Sequence, residues 1–188
     1  MLTVKPMNTV YIAYHDGIFD TKVRPFMAGC VQVLDQLKPD RLYFLFSSSG
    51  GNVESGVTLY NFLRALPVKI AFHNIGSVDS IANVVFVAGE ERFATSHATF
   101  LLHGSTWQLN ATFDREALNQ LTSMANQTEN KIAAILAERT KLTESDVRSH
   151  FTQGEAKDSR FALDKGIIHQ IVDPVIPAHE KLLTFNFA

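Results

Sequence analysis

Ile75-Gly76-Ser77-Val78-Asp79-Ser80-Ile81-Ala82-Asn83-Val84-Val85-Phe86-Val87-Ala88-Gly89 carries the chain from one apolar segment to another through a turn that holds a serine. Upstream, the run from Val68 to Ile75, broken by Lys69, His73 and Asn74, reads as a strand. The expected turn is Gly76-Ser77, after which Ser80 opens a short apolar helix. The first N–H groups of a helix lack intrahelical partners. Those amides, with the positive end of the helix dipole, suit an oxyanion. Strand, turn, serine and helix thus describe a nucleophile site. They equally describe an ordinary N-cap, a position serine favours, and the segment alone leaves both readings open.

Outward from this segment, strands and helices alternate. Thr9 to Tyr14 reads as a first strand, ended by His15-Asp16-Gly17. Asp20 can cap a helix carrying Val23, Phe26, Met27, Cys30, Leu34 and Leu37 at helical spacing, and Lys38-Pro39-Asp40 stops it. Leu42 to Phe46 is an unbroken apolar run, as in a strand covered on both faces. It breaks into Ser47-Ser48-Ser49-Gly50-Gly51-Asn52, where the serines read as a solvated turn. A helix from Val53 to Leu66 follows, ended by Pro67. Arg92-Phe93-Ala94 and Thr99 to Leu102 read as strands, the second running into His103-Gly104. Arg115 to about Arg139 is a long helix. Thr143 and Asp146 form a capping box with Asp in place of Glu. A short helix over Ser159–Lys165 and a closing strand over Ile167–Val172 complete the chain. The pattern is α/β with a largely parallel sheet. Sites in such sheets form beyond the carboxyl ends of strands, where Gly50-Gly51, Ser80 and His103 all fall.

The 188 residues suffice for one domain, 1–188, with a real core. A formal net charge of −2 argues against a general nucleic-acid binder, because nothing here neutralises a phosphate backbone. The single cysteine, Cys30, excludes an internal disulfide framework and reads as a buried core thiol. No apolar run is long enough to cross a membrane and no secretory signal opens the chain. The expectation is a soluble, cytoplasmic protein. His15, His73, His97, His150, His169 and His179 read as structural, and their spacing suggests no zinc site.

A glycine pair, a serine at a helix start and a histidine after a strand can together make an acyl-transfer site. Glycines let backbone amides approach a ligand, and a serine hydroxyl needs a base such as histidine to become nucleophilic. Phe46 to Gly56 resembles the Ser-Pro-Gly-Gly segment of ClpP-type serine peptidases, and Gly76 to Ala82 resembles their nucleophile turn. Arg92-Phe93-Ala94 with Phe100 to His103 is similar to the segment delivering their histidine. Ala162 to Ile168 is similar to a stretch near their C-terminus. The likeness runs in order over roughly residues 9 to 173.

The resemblance implies Ser80 as nucleophile, His103 as general base, and the backbone N–H groups of Gly51 and Ile81 as oxyanion hole. It implies a crotonase-like ββα superhelix and a peptide or unfolded-protein substrate, with no cofactor or metal. It also implies a homo-oligomeric ring, heptamer or double heptamer, with the Arg115–Arg139 helix as the handle joining rings. Gly154 stands where the family has its triad aspartate; Glu155 is adjacent, and Asp158 is expected to cap a helix. Asp79 replaces a small residue beside the nucleophile, and Ser49 replaces a proline. Only eight residues precede the first strand, which counts against docking to an ATPase unfoldase. Three alternatives stay open: a catalytically silent scaffold or regulatory subunit of the same fold, a crotonase-type acyl-CoA enzyme, and a Ser–Lys mechanism using Lys131.

Overall fold

The computed structural model describes residues 7–106 and 112–185. Its elements follow the chain as β1 (Thr9–His15), α1 (Asp20–Leu37), β2 (Arg41–Ser48), α2 (Val53–Ala65) and β3 (Lys69–Asp79). Then come α3 (Ala82–Phe86), β4 (Glu91–Ala94), β5 (Thr99–Leu101), α4 (Arg115–Arg139) and α5 (Glu144–Gln153). β6 (Ala156–Asp158), α6 (Ser159–Asp164), β7 (Gln170–Ile171) and β8 (Lys181–Thr184) close the described chain. The strands form one sheet in the order β6-β5-β3-β2-β1-β8, with β4 bridging β3 and β7. Every pairing is parallel except β5 with β6.

One face of the sheet carries the core. Tyr14, Phe44, Phe46 and Phe72 are fully buried there, stacked or edge-on against one another, and they meet Phe26 of α1 and Phe86 of α3 in edge-on or tilted contacts. Alternation puts Tyr11, Tyr43 and His73 on the other face, where Tyr43 donates to or accepts from His73 Nδ1 at 2.7 Å. Cys30 is buried as expected, and burial pushes its thiol up to about 12. The Thr143–Asp146 capping box forms in full at the start of α5.

β3 departs from the reading in a way that positions the site. The turn expected at Gly76-Ser77 is a bulge inside a longer strand. From Phe46 to Ser48, β2 advances two residues while its β3 partners advance from Asn74 to Val78. Two side chains hold the bulge: Asn74 Oδ1 accepts the Gly76 N–H at 3.0 Å and Ser47 Oγ accepts the Ser77 N–H at 3.2 Å. Ser47 and Ser48 are therefore buried and belong to β2, whereas only Ser49 meets the solvated-turn expectation. β3 changes partner along its length, pairing β4 over Ala71–Asn74 and β5 over Ser77–Asp79. This switch brings the end of β3 beside the end of β5, which leads to His103. The expected strand over Ile167–Val172 shrinks to Gln170–Ile171, and β8 is an edge strand the sequence reading did not include.

Arg92 of β4 ties the periphery together. Its guanidinium donates to the carbonyls of Gly89, Arg139, Gly166 and Ile167 at 2.8–3.0 Å. That joins the end of α4 to the turns after α3 and α6. Burial, with the neighbouring Arg139 charge, pulls its pKa down to about 10, so it stays a cation at neutral pH.

Candidate active site

Ser80 follows the last residue of β3 and does not cap α3. Its φ is +58°, in the left-handed region that a non-glycine residue enters only at a cost. The residue before α3 is Ile81, and no side chain caps that helix. The N-cap reading of Ser80 is thus replaced by a strained strand-to-helix elbow. The elbow is over-determined by its neighbours. Ser80 N–H donates to Leu101 O at 2.8 Å. Buried Asn83 places its Nδ2 within 3.0–3.1 Å of the carbonyls of Val78, Ser80 and Leu101. The sequence reading passed over Asn83; its signal was a lone amide within the apolar run Ile81 to Ala88.

The glycine pair lies against the elbow because only glycine fits. Gly50 has φ +85°, and a Cβ on it would stand 2.6 Å from Ser80 Cβ and 2.7 Å from Asp79 O. Gly51 has φ +150°, and its Cβ would lie 2.4 Å from Ile18 O. Two bonds clamp this loop to the β1–α1 connection: Ile18 N–H to Gly50 O, and Asn52 N–H to Ile18 O, both 2.7 Å. Among the described residues, the amides of Gly51 and Ile81 make no backbone hydrogen bond.

Ser80, Ile81, Gly51 and His103 line one cleft of about 400 Å³. Its apolar wall includes Leu102, Met124, Ile132 and Phe151. His103 Nδ1 lies 2.8 Å from Gly104 O. A carbonyl can only accept, so the proton sits on Nδ1 and Nε2 is left as an acceptor. Among the described residues, Ser80 Oγ makes no hydrogen bond, to His103 or otherwise; catalytic contacts are often long before substrate binds.

No carboxylate takes the triad position at the end of α5. Gly154 is the left-handed C-cap of that helix, and among the described residues nothing lies within 4 Å of where a Cβ would stand. Glu155 pairs with Lys157 at 2.7 Å, and Asp158 caps α6 by accepting the Phe161 N–H. Asp79 is half-buried near His103. Burial raises its carboxyl above the usual range, opposed by a Ser77 hydrogen bond and the His103 charge. Lys131 pairs with Glu54 at 3.0 Å, which counts against the Ser–Lys alternative.

A left-handed serine elbow, a glycine loop packed against it and a histidine thus share one cleft on a largely parallel sheet. The model of the Clp protease family matches residues 6–175, and the chain belongs to that family of serine peptidases. Among curated proteins it is similar to the ATP-dependent Clp protease proteolytic subunit 2 of Borreliella burgdorferi. That match is 26% identical and covers 76% of this chain and 71% of the relative. The subunit 2 protein of Corynebacterium efficiens is 27% identical, covering 80% and 75%. Among solved structures, a mutant ClpP1 from Listeria monocytogenes superposes with a TM-score of 0.74 at 18% identity, over 89% of this chain and 92% of that one. The last likeness establishes the fold.

Proposed function

We propose that this chain is a serine endopeptidase that cleaves peptides through an acyl-enzyme on Ser80. The observation that carries the reading is the left-handed Ser80 elbow opening onto the same cleft as His103. His103 Nε2 takes the Ser80 proton as Oγ attacks the scissile carbonyl, then delivers it to the leaving amine. The Gly51 and Ile81 amides receive the oxyanion. Water, activated by the same imidazole, releases the acyl group. The apolar cleft wall suits an apolar substrate side chain in a peptide or unfolded protein. The chain works as a homo-oligomeric ring, a heptamer or double heptamer, with α4 as the handle between rings.

Covalent labelling by a fluorophosphonate probe, read by intact mass, tests this. One adduct on the wild type and none on Ser80→Ala is expected, with peptide hydrolysis lost in Ser80→Ala and His103→Ala. A second reading, a catalytically silent subunit, draws support from Gly154 in the acid's position. The absence of an adduct on folded, assembled protein would select it.

A further inference from the structure

We propose that Glu129 of α4 replaces the missing triad acid by acting on His103 through one peptide group; the role in catalysis rests on the reading of Ser80 and His103 given above. Glu129 Oε1 accepts the Ser105 N–H at 3.1 Å. The carbonyl of that same peptide group, Gly104 C=O, accepts the proton of His103 Nδ1 at 2.8 Å. The peptide is planar and conjugated. A negative charge at its N–H end pushes electron density to its oxygen, and such chains of hydrogen bonds strengthen one another. The carboxylate therefore holds the imidazole in the tautomer that leaves Nε2 free, and favours the imidazolium that forms when Ser80 loses its proton. Gly104 allows the approach, since a Cβ there would stand 3.0 Å from the same Glu129 oxygen. The loop is fixed from the other side by Gly104 N–H donating to Phe151 O at 3.3 Å.

Three features single out Glu129. The positions around the family's acid are occupied otherwise: Gly154 has no side chain, Glu155 is paired and Asp158 caps a helix. Of the other charged groups facing His103, Asp79 of β3 bonds Ser77, and Glu54 at the mouth of the cleft is paired with Lys131. Glu129, among the described residues, forms no ion pair. Glu129 is a positioning residue and does not touch the reacting atoms.

The test compares wild type, Glu129→Gln and Glu129→Ala, each checked for fold by circular dichroism. Fluorophosphonate labelling rates are measured across pH, and the His103 Nδ1–H proton is followed by NMR. Gln keeps an acceptor for Ser105 but loses the charge. The expected order of labelling is wild type, then Gln, then Ala, with the Ala variant slowed about 10- to 100-fold, the size of effect found for outer partners of metal-bound histidines. In Glu129→Gln the acidic limb of the rate profile moves to lower pH and the Nδ1–H resonance moves upfield. Labelling and resonance unchanged in Gln would overturn the proposal, even if Ala is slow, because position alone would then suffice. If the wild type takes no label, the peptidase reading fails separately, and the NMR shift between wild type and Gln still decides whether the carboxylate acts on His103.

Discussion

Replacing Ser80 by alanine and by glycine separates chemistry from strain. At φ +58° any residue with a Cβ crowds its own carbonyl oxygen, at about 1–2 kcal/mol. Alanine keeps that penalty, and Ser80 Oγ has no hydrogen bond to lose, so Ser80→Ala should match the wild type in stability. Glycine escapes the penalty but gives back about 0.5–1 kcal/mol through its freer unfolded chain. The balance leaves Ser80→Gly about 0.5–1 kcal/mol more stable than Ser80→Ala. In a chain of this size that is about 1–4 °C in Tm. Urea and thermal unfolding at one fixed protomer concentration would measure it, since assembly links stability to concentration. Both variants should be dead in labelling. A glycine variant equal to or less stable than the alanine variant would refute the strained elbow.

Gly51→Ala places a Cβ 2.4 Å from the Ile18 carbonyl at φ +150°. About 3 kcal/mol of stability should be lost together with fluorophosphonate labelling, measured by urea unfolding and intact mass. Asp79→Asn removes a carboxyl whose pKa burial has raised. The native state favours the protonated form, so the advantage of Asn is absent below the ordinary value of 3.8 and grows as pH rises through the raised one. Parallel Tm–pH curves for the two proteins would contradict this. Arg92→Met leaves the carbonyls of Arg139, Gly166 and Ile167 without their donor, each worth about 1–3 kcal/mol if left unpaired, and leaves Gly89 O only a long bond from Arg139 at 3.4 Å. Relaxation will recover part of that, and a loss of at least about 3 kcal/mol is expected; a loss under about 1 kcal/mol would show the guanidinium to be dispensable.

Local rules made much of the fold legible. The long helix over Arg115–Arg139 has the bounds its periodicity suggested, the Thr143 capping box forms, and Asp158 caps α6. Each depends on residues within a few positions of one another. Where the reading differed, the cause was contact with distant chain. Ser47 and Ser48 look like a solvated turn, yet they become strand because Ser47 has the Ser77 amide to hold and β3 to pair with. β8 is held as a strand by its pairing with β1 at the opposite end of the sequence. A four-residue run with no periodicity of its own carried too little signal to be read.

The sequence by itself determined the alternation of strands and helices, and it put Gly50-Gly51, Ser80 and His103 at strand ends, because periodicity and turn chemistry are properties of neighbours along the chain. Tertiary structure decided that Ser80 is an elbow and not a cap. That outcome requires the Leu101 carbonyl and the Asn83 amide to hold a conformation the residue would not adopt alone. It also decided that the carboxylate reaching the histidine loop comes from Glu129. No spacing rule links residues 105 and 129; only the packing of α4 across the cleft brings them within 3.1 Å.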